Sequence, residues 1–183
     1  MTEIELGILE SIQTIKCPFL DYIVPKISFL GNAGMIWILA AFIMVCFKKT
    51  RKCGFAVGTA LIISLVLNNL ILKNVVARER PFTVDPTIEL LISKPRDFSF
   101  PSGHTLTGFA SAAVIMYYHR KPYGWIALTL AAVIGFTRLY LRVHFPTDVL
   151  GGVIIGAVFG FLAIIVTEFV YKKISARRRV KEK

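Results

Sequence analysis

Three short segments carry the residues able to do chemistry. The first is Lys73 with Arg80-Pro81, the second is Pro101-Ser102-Gly103-His104, and the third runs from Arg138 through His144 to Asp148. An imidazole paired with a carboxylate is an arrangement that fixes the ring tautomer and raises its nucleophilicity. A second imidazole, kept protonated by an anion that it faces, can donate a proton to a leaving group. Lys and Arg side chains together with backbone N–H groups suit phosphoryl oxygens, which Arg matches bidentately. These residue types point to phosphoryl transfer to histidine, then hydrolysis. In this reading His144 attacks phosphorus, Asp148 orients its other nitrogen, and His104 protonates the departing alkoxide or phosphate. Lys73, Arg80, Ser102, Gly103 and Arg138 hold the equatorial oxygens and stabilise the charge that builds in the transition state. Asp85, Glu89 and Asp97, with Glu79 between two arginines, are the acids that accompany the cations in loop 77–101. They form no cluster suited to Mg²⁺, so catalysis without metal or cofactor is expected.

Each segment alone has a plainer explanation. Pro101-Ser102-Gly103 reads as a helix start, Lys73 as an interfacial anchor with a snorkelling stem, and Asp148 as a complement to a helix dipole. The gathering of two of the three histidines with a carboxylate and several cations is what those explanations leave out. His119, in a basic loop, is expected to be a bystander. Residues 73 and 80 lie two helical turns apart, so both cations point the same way if the helix continues as far as Pro81. Pro146 disfavours a helical Phe145, so His144 is expected to end one segment and Asp148 to begin the next.

The elements that must position these residues are membrane helices. The chain has 183 residues, 55% of them hydrophobic, and a mean hydropathy of +0.66. Repeated apolar runs of about 20 residues exclude an ordinary soluble domain. Five spans are expected near 33–47, 54–76, 102–118, 124–141 and 148–170, forming an all-α polytopic bundle that counts as one domain over 1–183. Residues 1–30 read as two amphipathic pieces at the outer interface, with a sixth crossing as the alternative. The N-terminal residues are acidic and amphipathic and carry no cleavable leader pattern. Cys17, Cys46 and Cys53 lack metal-site spacing and read as apolar fillers.

The net charge is +11, and its placement argues for membrane topology rather than nucleic-acid binding. Lys48–Lys52, the loop at Arg120-Lys121 and the tail 172–183 hold more than half of the 22 basic residues. Five crossings put all three groups on one side, cytoplasmic by the positive-inside rule. The loops bearing Lys73, Arg80, Arg138 and His144 then face outward, where positive charge is scarce unless it has a function.

Lys73-(six residues)-Arg80-Pro81, Pro101-Ser102-Gly103-His104 and Arg138-(five)-His144-(three)-Asp148 resemble, in spacing and order, the three motifs of the type 2 phosphatidic acid phosphatase superfamily. Thr137 stands where that family often has Ser, which keeps the hydroxyl. The resemblance implies a helical bundle with its active site at the outer membrane face and lipid phosphate or diphosphate substrates. Undecaprenyl diphosphate is slightly favoured over phosphatidate and phosphatidylglycerophosphate, on compactness and orientation. Vanadium haloperoxidases share the motifs but are soluble, so the spans argue against that branch. An anion channel or transporter would use the cations but not the His-Asp pair, and a non-catalytic lipid-binding protein would need neither. Headgroup preference, oligomeric state and protein partners have no signature in the sequence.

Overall fold

A computed structural model describes residues 2–181, with side chains through residue 177. The described residues are helical with no strand: α1 (Thr2–Gln13), α2 (Pro18–Leu30), α3 (Met35–Cys46), α4 (Arg51–Val66), α5 (Lys73–Val76), α6 (Pro81–Val84), α7 (Gly103–Tyr118), α8 (Trp125–Tyr140) and α9 (Pro146–Lys181). A π-helical stretch, Leu67–Leu72, carries α4 into α5. Among the described residues three helices are long and apolar enough to cross a bilayer: the one beginning at Arg51, the one over Arg120–Tyr140, and the one over Pro146–Arg177. The pair α2 and α3, bent by 47° across the turn at Asn32–Gly34, makes a fourth candidate as one broken span. All five expected segments are helical, four of them close to the expected bounds, while the last helix runs to Lys181 rather than ending near 170. At 16 residues, however, α7 is shorter than a membrane crossing ordinarily needs. Residues 182 and 183, the end of the expected basic tail, lie outside the described residues.

The packing is that of a membrane protein turned small side inward. On α4, Cys53, Gly54, Ala56, Val57, Ala60 and Ser64 are buried, while Phe55, Ile62 and Leu65 are exposed. Large exposed apolar side chains recur on α3, α8 and α9, among them Ile38, Phe42, Ile126, Phe136, Ile154 and Phe161. In a bilayer, where lipid tails are as apolar as such side chains, helix association rests on close backbone approach. The α7–α9 contact shows how. A Cβ on Gly156 would sit 2.5 Å from the Leu106 carbonyl oxygen, and one on Gly160 would sit 2.6 Å from that of Ala110. Glycine every fourth residue therefore lets α9 lie against the backbone of α7, which also packs on α4 and α8. At one end of the bundle Glu168 of α9 accepts from Lys52 Nζ at 2.7 Å and from Tyr118 Oη at 2.9 Å, tying α4, α7 and α9 together.

At the opposite end α1 and α2 lie over the tip of α8 and the loops. Leu9 is buried, Gln13 donates to the Tyr140 carbonyl at 3.0 Å, and the Tyr140 hydroxyl donates to Asp21 at 2.8 Å. The N-terminal region is thus part of the packed body at the end that carries the motif residues.

Candidate active site

Lys73 and Arg80 do meet, but not by helical periodicity. The helix ends at Val76 because Ala77 adopts a left-handed conformation, φ 46°, and its N–H closes on the Lys73 carbonyl at 2.9 Å. Residues 77–80 are irregular, and Arg80 sits just before Pro81, the first residue of α6. The helix therefore does not continue to residue 80, and the condition for a shared helical face is not met. Convergence comes instead from loop 85–102, which folds back over both cations. Asp97 accepts from Lys73 Nζ and, at 2.8 Å, from Arg80 Nη2. The backbone carbonyl of Asp97 accepts from Arg80 Nε at 2.8 Å, and that of Phe98 accepts from Lys73 Nζ at 3.1 Å. Hydrogen bonding and charge from Lys73, with charge from Arg80, outweigh desolvation and hold the Asp97 carboxyl down at about 2.

His144 lies in the turn between α8 and α9, buried at 2% exposure. Its Nε2 is 3.3 Å from Arg80 Nη1, which also donates to the Val143 carbonyl at 2.6 Å. Since Arg can only donate, Nε2 must offer its lone pair on that side, which puts the ring proton on Nδ1. Burial first, then the charges of Arg80, Arg138 and Lys73, lower the ring's pKa well below the ordinary imidazole range. The ring is neutral.

Asp148 does not grip the ring as expected. Its Oδ2 is 3.7 Å from His144 Nδ1, beyond a hydrogen bond, and a neutral ring makes no ion pair there. Ser99 stands between them: its hydroxyl donates to Asp148 Oδ2 at 2.5 Å and is 3.4 Å from His144 Nδ1. Asp148 is held by the start of α9. Pro146 opens the helix, and the Phe145 N–H donates back to Asp148 Oδ2 at 2.8 Å, half of a capping box. Its other oxygen accepts from Arg78 Nη1 at 2.6 Å. Arg78 in turn donates through Nη2 to Glu5 at 2.5 Å and through Nη1 to the Thr147 hydroxyl at 2.6 Å. Glu5, on α1, is buried at 3% exposure and also accepts from the Thr147 N–H and hydroxyl.

A cavity of about 1080 Å³ joins these groups. Lys73, Arg80, Asp97, Gly103, His104, Arg138 and His144 line one end. Gly103 and His104 open α7, so the unpaired N–H groups of its first turn belong to that end. Ser102 is not on the wall. It precedes α7 without a side-chain cap bond, and its hydroxyl accepts from Thr105 at 3.0 Å. The loop side is lined by Ile92, Ser93, Pro95 and Asp97, and not by the loop aromatics Phe82, Phe98 and Phe100. Phe82 is buried against Tyr140 and Val143, and the Phe100 ring lies against Gly151.

The bend between α2 and α3 contributes residues that the interfacial reading of residues 1–30 left out. His104 Nε2 is 2.9 Å from Asn32 Oδ1, and Arg138 Nη1 donates to the Ser28 hydroxyl. A Cβ on Gly31 would lie 2.6 Å from the His104 ring, so only glycine admits that ring. Arg138 Nε and Asn68 Oδ1 are buried at this end with no hydrogen-bond partner among the described residues. No group of three or more His, Cys, Asp or Glu is placed to hold a metal ion among the described residues. Away from the charged end the cavity continues between α3 and α4, lined by Ile38, Ala41, Gly58, Leu61, Ile62 and Leu65.

The PAP2 superfamily profile matches residues 53–172, which contain all three motifs. An undecaprenyl-diphosphatase of Sulfolobus acidocaldarius is 35% identical over 139 residues, 74% of this chain and 66% of that protein. Undecaprenyl-diphosphatase BcrC of Bacillus subtilis is 34% identical over 143 residues, 78% of this chain and 72% of that protein. Among solved structures, a transmembrane PAP2-type phosphatidylglycerolphosphate phosphatase from Bacillus subtilis superposes with a TM-score of 0.74 at 28% identity. That match covers 92% of this chain and 86% of that one. With motifs, helical bundle and named phosphatases in agreement, this chain belongs to the PAP2 superfamily and is an enzyme of its phosphatase kind.

Proposed function

We propose that the chain hydrolyses a membrane lipid phosphate or diphosphate through a phosphohistidine intermediate, without metal. The observation that carries this is the buried His144 ring, whose Nε2 faces Arg80 Nη1 at 3.3 Å in a cavity shared with Lys73, Arg138 and His104. In the proposed cycle Nε2 attacks phosphorus as the bond to the leaving oxygen breaks. His104 gives that oxygen a proton, and water then cleaves the P–N bond to release orthophosphate. Lys73, Arg80, Arg138 and the first-turn N–H groups at Gly103 and His104 neutralise the equatorial oxygens. Arg138 Nε is a ready donor for that purpose. Asp148 acts through Ser99 to keep the proton on Nδ1, and Ser102 shapes the start of α7 rather than touching phosphate.

The apolar arm of the cavity supports a lipid substrate. From Lys73 to Gly58 along the helix is roughly 22 Å at the usual rise, room for a tail beside α4 with the phosphate at the charged end. Undecaprenyl diphosphate is favoured over phosphatidate and phosphatidylglycerophosphate because two relatives carry that substrate in their names. We further propose five membrane crossings, the site at the outer face and the C-terminus in the cytoplasm. The charge asymmetry of the loops supports that orientation.

Phosphate release in detergent with EDTA, measured side by side on those three lipids, tests the proposal. Wild-type protein is expected to release orthophosphate, and His144→Ala to lose release while still binding lipid. A requirement for added Mg²⁺, or undiminished release by His144→Ala, would overturn the mechanism. Gly58 has open space around its Cβ position, so Gly58→Leu is expected to slow hydrolysis of long-chain lipids while sparing p-nitrophenyl phosphate.

A further inference from the structure

Counting donors at Arg80 gives an unexpected result for a residue meant to bind phosphate. A guanidinium has five N–H groups. Nε donates to the Asp97 carbonyl, Nη1 faces the Val143 carbonyl and His144 Nε2, and Nη2 faces Asp97 Oδ1 and, at 3.4 Å, the Phe98 carbonyl. No donor is left over. Lys73 gives two of its three N–H groups to Asp97 and the Phe98 carbonyl. Arg138 by contrast keeps Nε unpartnered. Of the acceptors on Arg80 and Lys73, the carbonyls belong to the folded backbone and His144 Nε2 is the nucleophile. The Asp97 carboxylate is the one anionic acceptor, and its side chain is 54% exposed at the cavity wall. It bridges both cations with its two oxygens, as two oxygens of a phosphoryl group would.

We propose that Asp97 is a built-in competitor for the substrate: its carboxylate occupies the phosphate donors of Lys73 and Arg80 in the free enzyme and must swing out before a phosphoryl group can be held. The inference rests on reading the cavity as a phosphoryl site and adds a specificity determinant to it. Displacement costs every ligand the same pair of charge-assisted bonds, so it weighs most on weakly charged anions. A diphosphate brings more charge against the same two cations than a monoester or orthophosphate does. Asp97 therefore favours diphosphate lipids and keeps the orthophosphate product from lingering.

The alternative is that Asp97 merely orders Lys73 and Arg80, and the two readings predict opposite signs. Titration calorimetry of the full chain in detergent with inorganic orthophosphate separates them. Asp97→Asn is expected to bind orthophosphate about tenfold more tightly than wild type, the scale of one released charge-assisted hydrogen bond, while Asp97→Glu keeps the weak wild-type affinity. The same Asn variant should lower KM for a monophosphate lipid more than for a diphosphate lipid. Equal or weaker orthophosphate binding by Asp97→Asn overturns the proposal. Hydrogen–deuterium exchange on the unmodified protein decides the matter if that variant does not fold. Saturating orthovanadate should speed amide exchange across residues 93–98, and unchanged or slower exchange overturns it. Orthophosphate binding needs no turnover. Binding without hydrolysis of any lipid would sink the phosphatase mechanism and leave this inference standing, whereas failure of the Asn prediction leaves the mechanism intact. Absence of orthophosphate binding in all three proteins sinks both.

Discussion

A histidine that is to attack phosphorus must keep its lone pair, and the surroundings of His144 secure this by burial and by three nearby cations. The consequence for stability has a definite sign. The unfolded ring takes up a proton near pH ~6.5, while the folded ring resists it. The folded state therefore binds fewer protons there, and stability is full above that pH and falls as pH drops below it. Thermal unfolding in detergent is expected to show a lower Tm at pH 5 than at pH 7, with a smaller drop in His144→Gln; an equal drop would place the acid sensitivity elsewhere. The Asp97 clamp has the opposite robustness, because its carboxylate stays ionised until about pH 2. At this scale the motif residues were legible because their types and spacings are chemical in themselves. Ser99, Arg78 and Glu5 were not, since a serine in a loop or a glutamate on an amphipathic helix has no chemical signature until the fold supplies its partner. In the sequence Asp97 is one of four scattered loop acids, and only the return of loop 85–102 over Lys73 and Arg80 gives it a role.

Among the elements, α1 has a part that its sequence pattern does not announce. Its apolar residues recur at helical spacing, but Glu5 faces inward, and through Arg78 it fixes the carboxylate behind His144. Glu5→Gln is expected to lower kcat roughly 10- to 100-fold, the effect of a small misplacement of reacting groups, with KM nearly unchanged. Glu5→Asp should recover part of the loss, and a rise in KM at constant kcat would argue against the relay. The α7–α9 pair makes a second prediction. Gly156→Ala puts a methyl group against the Leu106 carbonyl and should cost about 1–3 kcal/mol as overpacking, read as a lower unfolding midpoint in detergent. The spans near α4, α8 and α9 were legible as long apolar runs. The length of α7 and the break at Ala77 were not, because apolar composition marks a segment without marking where a left-handed residue or a chain reversal stops the helix.

For the whole molecule, the proposed orientation can be read from two thiols. Cys17 joins α1 to α2 beside the charged end, and Cys46 ends α3 just before the basic Lys48–Lys52 loop; both are exposed. A membrane-impermeant maleimide on intact cells should label Cys17 and spare Cys46, and lysis should make Cys46 reactive; the reverse pattern would invert the topology. Charge asymmetry made this prediction available from sequence, whereas the joining of residues 1–30 to the site required the 47° bend between α2 and α3. That bend and the groove beside it have a kinetic corollary. A cavity walled by Ile38, Ile62 and Leu65, residues whose outer surfaces are themselves exposed, opens sideways. A molecule reaching it by lateral diffusion is sampled by its mole fraction in the surrounding film, not by its molarity. Diluting the micelle with inert detergent at constant lipid molarity should then slow turnover, and neighbouring lipids become rivals simply by being abundant.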